Sequence, residues 1–214
     1  VTPALISIIE KTVENLESIL KEENYLGYVF ALFLLAEFRE SKAMPAVLNL
    51  ISQPEEAAWE MMGDILTEDL GRILASISNG ETDSIKQIIE DDSLDDFVRT
   101  AALDAMLILT ARGELSRKKL VAYFESLYQS GLEKQSSLVW NHLVVCSINI
   151  YPVELQTCIK EAYEKELVDE EFISIQFVEE ALQSGKEVVL DWLENNPDYT
   201  YVTDAVADLT RWLA

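Results

Sequence analysis

The 214 residues include 39 acidic against 16 basic side chains, a formal net charge of −23 at pH 7. Nucleic-acid phosphates and anionic lipid surfaces attract proteins through Lys and Arg, so this charge excludes both as partners and favours a basic one. With 49% hydrophobic residues, 7 Gly and 5 Pro, the chain can bury roughly 70% of its unfolded surface and needs neither disulfides nor metals to fold.

Helical spacing runs from end to end, and no segment shows the sustained polar–apolar alternation of hairpin strands, which makes the chain all-α. The first helix opens at Thr2-Pro3, a cap followed by proline, and sets Leu5, Ile8, Ile9, Val13, Leu16 and Leu20 on one stripe. The next, Tyr25 to Phe38, is apolar all round and must be covered on several sides. Glu55 to Met62 reads as a short helical insertion within an irregular stretch near 55–66, and Thr67 before Glu68 and Asp69 as a cap with first-turn acids. The amphipathic Ser84 to Glu90 then precedes the apolar Val98 to Ala111, as Arg117 to Tyr128 precedes Leu138 to Ile150. Pro152 sits near a helix start, Ser184 to Glu187 spells a capping box, and Pro197 follows a helix end.

This alternation is a repeat. Leu34, Leu74, Ile108, Val145, Val178 and Leu209 take similar places in successive second helices at intervals of roughly 30 to 40 residues. The expectation is about six stacked helical hairpins in one solenoid domain over residues 1–214. The stretch Asp96-Phe97-Val98-Arg99-Thr100-Ala101-Ala102-Leu103-Asp104-Ala105 resembles the HEAT repeat, in which an Asp and a Val-Arg pair open the second helix and small residues follow. Alanines there let helices approach closely, and Asp96 and Arg99 read as structural, the arginine pairing with a carboxylate near the turn. Over nearly its whole length the chain resembles a bacterial HEAT-like family catalogued as a domain of unknown function, through Ala31 to Ala43, Gly63 to Ala75, Val98 to Ala105 and Asp204 to Trp212. Longer members of that family often end in a cysteine-rich metal-binding SEC-C tail. That tail is absent from this sequence, so the resemblance implies an architecture and no activity.

Several residues invite a chemical reading. Asp91, Asp92, Asp95 and Asp96 satisfy the DDxxD pattern with which helical prenyl-diphosphate synthases hold magnesium. No second aspartate-rich motif and no Arg/Lys cluster accompanies them, and Asp and Ser are ordinary caps at such a turn. His142 and Cys146 share a helix face and could offer two ligands to zinc, but a structural site wants four, so the expectation is a hydrogen-bonded core histidine and a buried thiol. Cys158, the other cysteine, reads likewise as a buried thiol. One histidine, no Gly-x-Ser-x-Gly elbow and scattered glycines exclude a catalytic triad and a phosphate loop. Asp64, Glu68 and Asp69 form the best candidate binding surface, because they interrupt the hairpin rhythm. Tyr199, Tyr201 and Trp212 read as closing a terminal hairpin.

The functional expectation is therefore a non-enzymatic protein-interaction scaffold with an acidic surface, cytoplasmic, a monomer or weak oligomer, without cofactors, docking a basic segment of another protein. The alternative is a magnesium-dependent enzyme acting on a diphosphate through residues 91–96. A chain that opens on Val1 rather than Met is read as processed or partial.

Overall fold

The computed structural model describes residues 1–21 and 25–212, and every regular element among them is helical. In chain order, α1 (Thr2–Glu14) and the short α2 (Leu16–Ile19) lead to α3 (Gly27–Glu37); α4 (Met44–Ile51), α5 (Glu55–Met62) and α6 (Ile65–Glu68) lead to α7 (Leu70–Ser78). Next come α8 (Asp83–Glu90), α9 (Asp96–Ala111), α10 (Arg117–Ser126) and α11 (Leu138–Asn149). The chain closes with α12 (Gln156–Glu164), α13 (Ile175–Ser184), α14 (Lys186–Asn195) and α15 (Ala205–Trp212). Among the described residues no helix is long and apolar enough to cross a membrane.

The segments that are apolar all round, α3, α9 and α11, lie in an inner layer. In it α3 packs on α7, α7 on α9, α9 on α11 and α11 on α13, while α1, α4, α8 and α10 cover it from outside. This serial stacking fits the solenoid expectation: each helix buries one side against its hairpin partner and its flanks against the neighbouring hairpins. In α3, Val29, Leu32, Phe33 and Leu35 are all buried, which explains why its sequence has no polar face. The tightest approach is between α7 and α9. A Cβ on Gly71 would come within 2.9 Å of the Ala101 carbonyl oxygen and 3.0 Å of Asp104 Cβ, so only glycine permits this spacing.

Arg99 fastens the middle of the stack. It is 1% exposed, its Nε donates to the Ile89 carbonyl at the end of α8, and its guanidinium makes paired bonds of 3.1 and 2.7 Å to Glu133 ahead of α11. Asp96 accepts from the same guanidinium and, through Oδ2, from the Leu138 backbone N–H that opens α11. Arg99 thus ties α8 and α9 to the segment that opens α11, with a bidentate ion pair at its centre.

Local punctuation differs from the expectation at three places. Thr2 is the first residue of α1, and Val1 takes the cap position. The Thr67 hydroxyl donates to the Asp64 carbonyl inside the short α6, leaving Asp69 at the cap position of α7. Ser184 belongs to the last turn of α13 and donates back to Glu180, while Gly185, at φ 86°, makes the whole turn into α14. With a one-residue break, Ser184 cannot reach forward as a capping box requires.

The largest departure is at the C-terminal end. The sixth hairpin does not continue the stack. After α13, α14 folds back on α9 and α11, and α15 lies against α3. Leu209 therefore returns to the first hairpin rather than following Val178. Residues 196–212 and α14 make a return leg across the inner layer. Its backbone is gripped by side chains of the stack: Arg72 donates to the carbonyls of Thr200 and Tyr201, Ser76 Oγ accepts from Val202 N, and Glu37 Oε2 accepts from Ala205 N. Asn149 donates to the Tyr199 hydroxyl, and the Arg39 guanidinium lies 4.3 Å from the centre of the Tyr201 ring. These tyrosines close the inner face rather than the end of the stack. The Trp212 side chain lies outside what the structure describes.

Candidate functional site

The return leg does not fill the inner face completely. Between it and the helices α6, α7 and α9 remains a cavity of about 350 Å³, with Gly71 and Ile108 among its lining and a polar wall of Glu68, Arg72, Asp104, Asp198 and Arg211. A second depression of about 200 Å³ shares Thr67 and Asp104 with the first and continues towards Leu138, His142 and the half-exposed Phe172. Together they form a groove across α9.

The cations of this wall are already committed. Arg72 bonds Asp69 Oδ1 at 2.7 Å and both carboxylate oxygens of Asp208 at 3.0 Å, and Arg211 reaches Asp69 Oδ2 at 2.6 Å. Burial alone would lower the pKa of Arg72, but its bonds to Asp208 and Asp69 outweigh that and raise it. Glu68 and Asp198, by contrast, are exposed.

Beside the groove two helices bring three ligand-type atoms together. His142 and Cys146 stand one turn apart on α11, and Asp104 faces them from α9. His142 Nε2 lies 2.9 Å from Asp104 Oδ1, and Cys146 Sγ lies 3.9 Å from the same oxygen. Burial opposes charge on His142, but Asp104 and Cys146 prevail and hold its pKa well above the usual histidine value. Burial pushes the Cys146 thiol up, against the opposing pull of His142. Tyr199 also shifts upward, through burial first and then the charges of Asp104 and Cys146. Among the described residues this trio is the one group of three His, Cys or carboxylate side chains spaced to hold a metal ion, its ligand atoms all within 4.8 Å of one another.

The residues singled out from the sequence are distributed differently. Asp91 and Asp92 are exposed on the turn between α8 and α9. Asp91 accepts from the Ser93 hydroxyl at 2.6 Å and from its N–H, bonds that hold its carboxyl below the ordinary value. Asp95 caps α9 by accepting from Phe97 N at 2.7 Å, and Asp96 is spent on Arg99 and Leu138. Two of the four carboxylates thus serve the helix start, and among the described residues lining the depression beside them there is no Lys or Arg to receive a diphosphate.

Of the proposed binding surface, Asp64 and Glu68 are exposed, and Glu68 borders the groove. Asp69 is the correction: it is 0% exposed, because Arg72 one turn on and Arg211 from α15 neutralise it beneath the leg. Cys158 also departs from expectation, being only partly buried.

Sequence reasoning saw His142 and Cys146 but not Asp104, the third member. The available signal was a lone carboxylate among the apolar residues of α9, at a position where an all-covered helix has no ordinary use for charge.

The comparisons add a family and no activity. The family described as "Protein of unknown function (DUF1186)" matches residues 1–214. An uncharacterized protein of Chlamydia trachomatis serovar D is 33% identical over 218 residues, covering all of this chain and 84% of the relative. One from Chlamydia muridarum is 32% identical over 214 residues, covering all of this chain and 85% of the relative. No solved structure matches.

Proposed function

The chain belongs to the DUF1186 family of proteins of unknown function, and from that premise we propose that it is a non-enzymatic interaction scaffold of HEAT-like hairpins. Its inner-face groove takes a basic segment of another protein, and the protein works in the cytoplasm as a monomer or weak oligomer. The observation carrying this reading is the charge of the groove: both arginines are engaged by Asp69 and Asp208, while Glu68 and Asp198 stand exposed at the wall. A net charge of −23 extends that attraction beyond the contact. Extended basic chains suit such a surface, since a lysine or arginine side chain can reach a wall carboxylate while its stem lies on apolar residues such as Ile108 and Phe172.

The test is fluorescence anisotropy with a labelled Lys/Arg-rich peptide and its Glu-substituted counterpart. Binding of the basic peptide alone, weakened by salt and reduced about tenfold in Glu68→Lys and Asp198→Lys, is the expected result. Equal binding of the two peptides, or affinity indifferent to both substitutions, overturns the proposal.

A further inference from the structure

We propose that Asp104, His142 and Cys146 bind a single divalent transition-metal ion of the zinc class, with solvent from the adjoining cavity completing the coordination. The inference does not rest on the scaffold reading. It starts from the donor set: one carboxylate oxygen, one imidazole nitrogen and one thiol sulfur are the ligand types of zinc and its neighbours, whereas magnesium and calcium call for oxygen alone.

Spacing supports it. Bond lengths of about 2.0–2.1 Å to N and O and 2.3 Å to S place ligand atoms about 3.3–3.6 Å apart around a tetrahedral ion. The observed separations of 2.9 Å (Nε2 to Oδ1) and 3.9 Å (Sγ to Oδ1) straddle that range, and all three ligand atoms lie within 4.8 Å of one another, so shifts of about one ångström or less would seat the ion. The backbones carrying the ligands are held firmly, since α9 and α11 pack along each other and Leu103, Ala105, Leu143 and Val144 between the ligands are fully buried. Entry is open as well: Asp104 and His142 line the groove, while Cys146 is buried one turn from His142.

Coordination requires a thiolate and an imidazole nitrogen free of its proton, so binding of the ion releases the proton of Cys146 Sγ and leaves His142 Nε2 to the metal. Tyr199, bonded to Asn149, closes the leg over the same cluster and would act as a positioning residue only.

The competing account is a buried His–Asp ion pair beside an inert thiol, and cobalt(II) titration of the reduced, chelator-stripped full chain separates the two. We expect one cobalt per chain with a thiolate-to-cobalt charge-transfer band, displaced by zinc, retained in Cys158→Ser and lost in Cys146→Ser. Asp104→Asn, at a partly exposed position that leaves the core intact, should weaken zinc by more than the about 10-fold to 100-fold that loss of an outer-sphere partner costs. Circular dichroism of each variant reports folding. Should Cys146→Ser fail to fold, Asp104→Asn decides. Absence of the thiolate band, its survival in folded Cys146→Ser, unchanged zinc affinity in Asp104→Asn, or binding of several ions per chain by surface carboxylates alone overturns the proposal.

Discussion

Two helices show how differently the parts of this molecule are held. In α9 eleven residues are buried, Arg99 among them, whereas in α14 the buried residue is Leu193. The stack is secured by apolar area and close packing, whose energy is shared over many contacts. The return leg buries fewer apolar side chains, Leu193, Val202, Ala205 and Leu209 among them, and is also held at its backbone by Arg72, Ser76 and Glu37 reaching up from the stack. Each region has an arginine at its centre. Arg99 binds elements 34 residues apart or closer, and Arg72 binds elements 136 apart. The lesson is that stacking and covering are separate tasks in this fold, and only the first follows from helix-to-helix periodicity.

Removing Arg99 should have the largest effect. Arg99→Ala leaves Glu133 without its partner in a mostly buried position and should cost about 3–5 kcal/mol in urea unfolding, in one transition that includes the whole stack. The same pair sets an acid limit. Burial would raise the pKa of Glu133, but bonds from Arg99 and Ser137 outweigh it and hold the group below 4.5. A depressed carboxyl contributes stability above its unfolded pKa and loses it as pH falls through the folded value. The wild type should therefore lose more stability below about pH 4.5 than Arg99→Met does; parallel pH profiles would show that the pair contributes nothing.

Arg72→Ala should cost less, about 1.5–3 kcal/mol for lost charged hydrogen bonds, and locally. Amide exchange should accelerate in residues 196–212 while α9 keeps its protection; equal loss in both would merge the two regions into one cooperative unit and break the comparison. Thr200→Ala should change stability by less than about 0.5 kcal/mol in thermal unfolding. Arg72 takes the carbonyl of Thr200, and its hydroxyl bonds only Pro197. A larger loss would mean that the Thr200 side chain itself helps to hold the leg.

The contrast also explains what could be read from the sequence. The helices α3, α9, α10 and α11 fall within about two residues of their expected limits, because a covered helix writes its burial into consecutive residues. The course of α14 and α15 left no such trace: Asp208 looks like any acidic residue of an amphipathic helix until Arg72 is beside it. The candidate site was half legible for the same reason. His142 and Cys146 announce themselves by i,i+4 spacing, while Asp104 joins them only through the packing of α9 on α11. Asp69 was misjudged because a carboxylate beside a helix start is usually solvated, and here two arginines offset its burial.

The leg's anchoring has a consequence for how the protein is made. Val202 and Ala205 find their partners 126 and 168 residues earlier in the chain. At a synthesis rate of about 5–20 residues per second, the first hairpin waits on the order of ten seconds or more for its cover while its own helices have long since met. Throughout that interval a ribosome-bound intermediate carries an open trough with Glu37 and Ser76 turned to water, and the arrival of residues 196–212 shuts it.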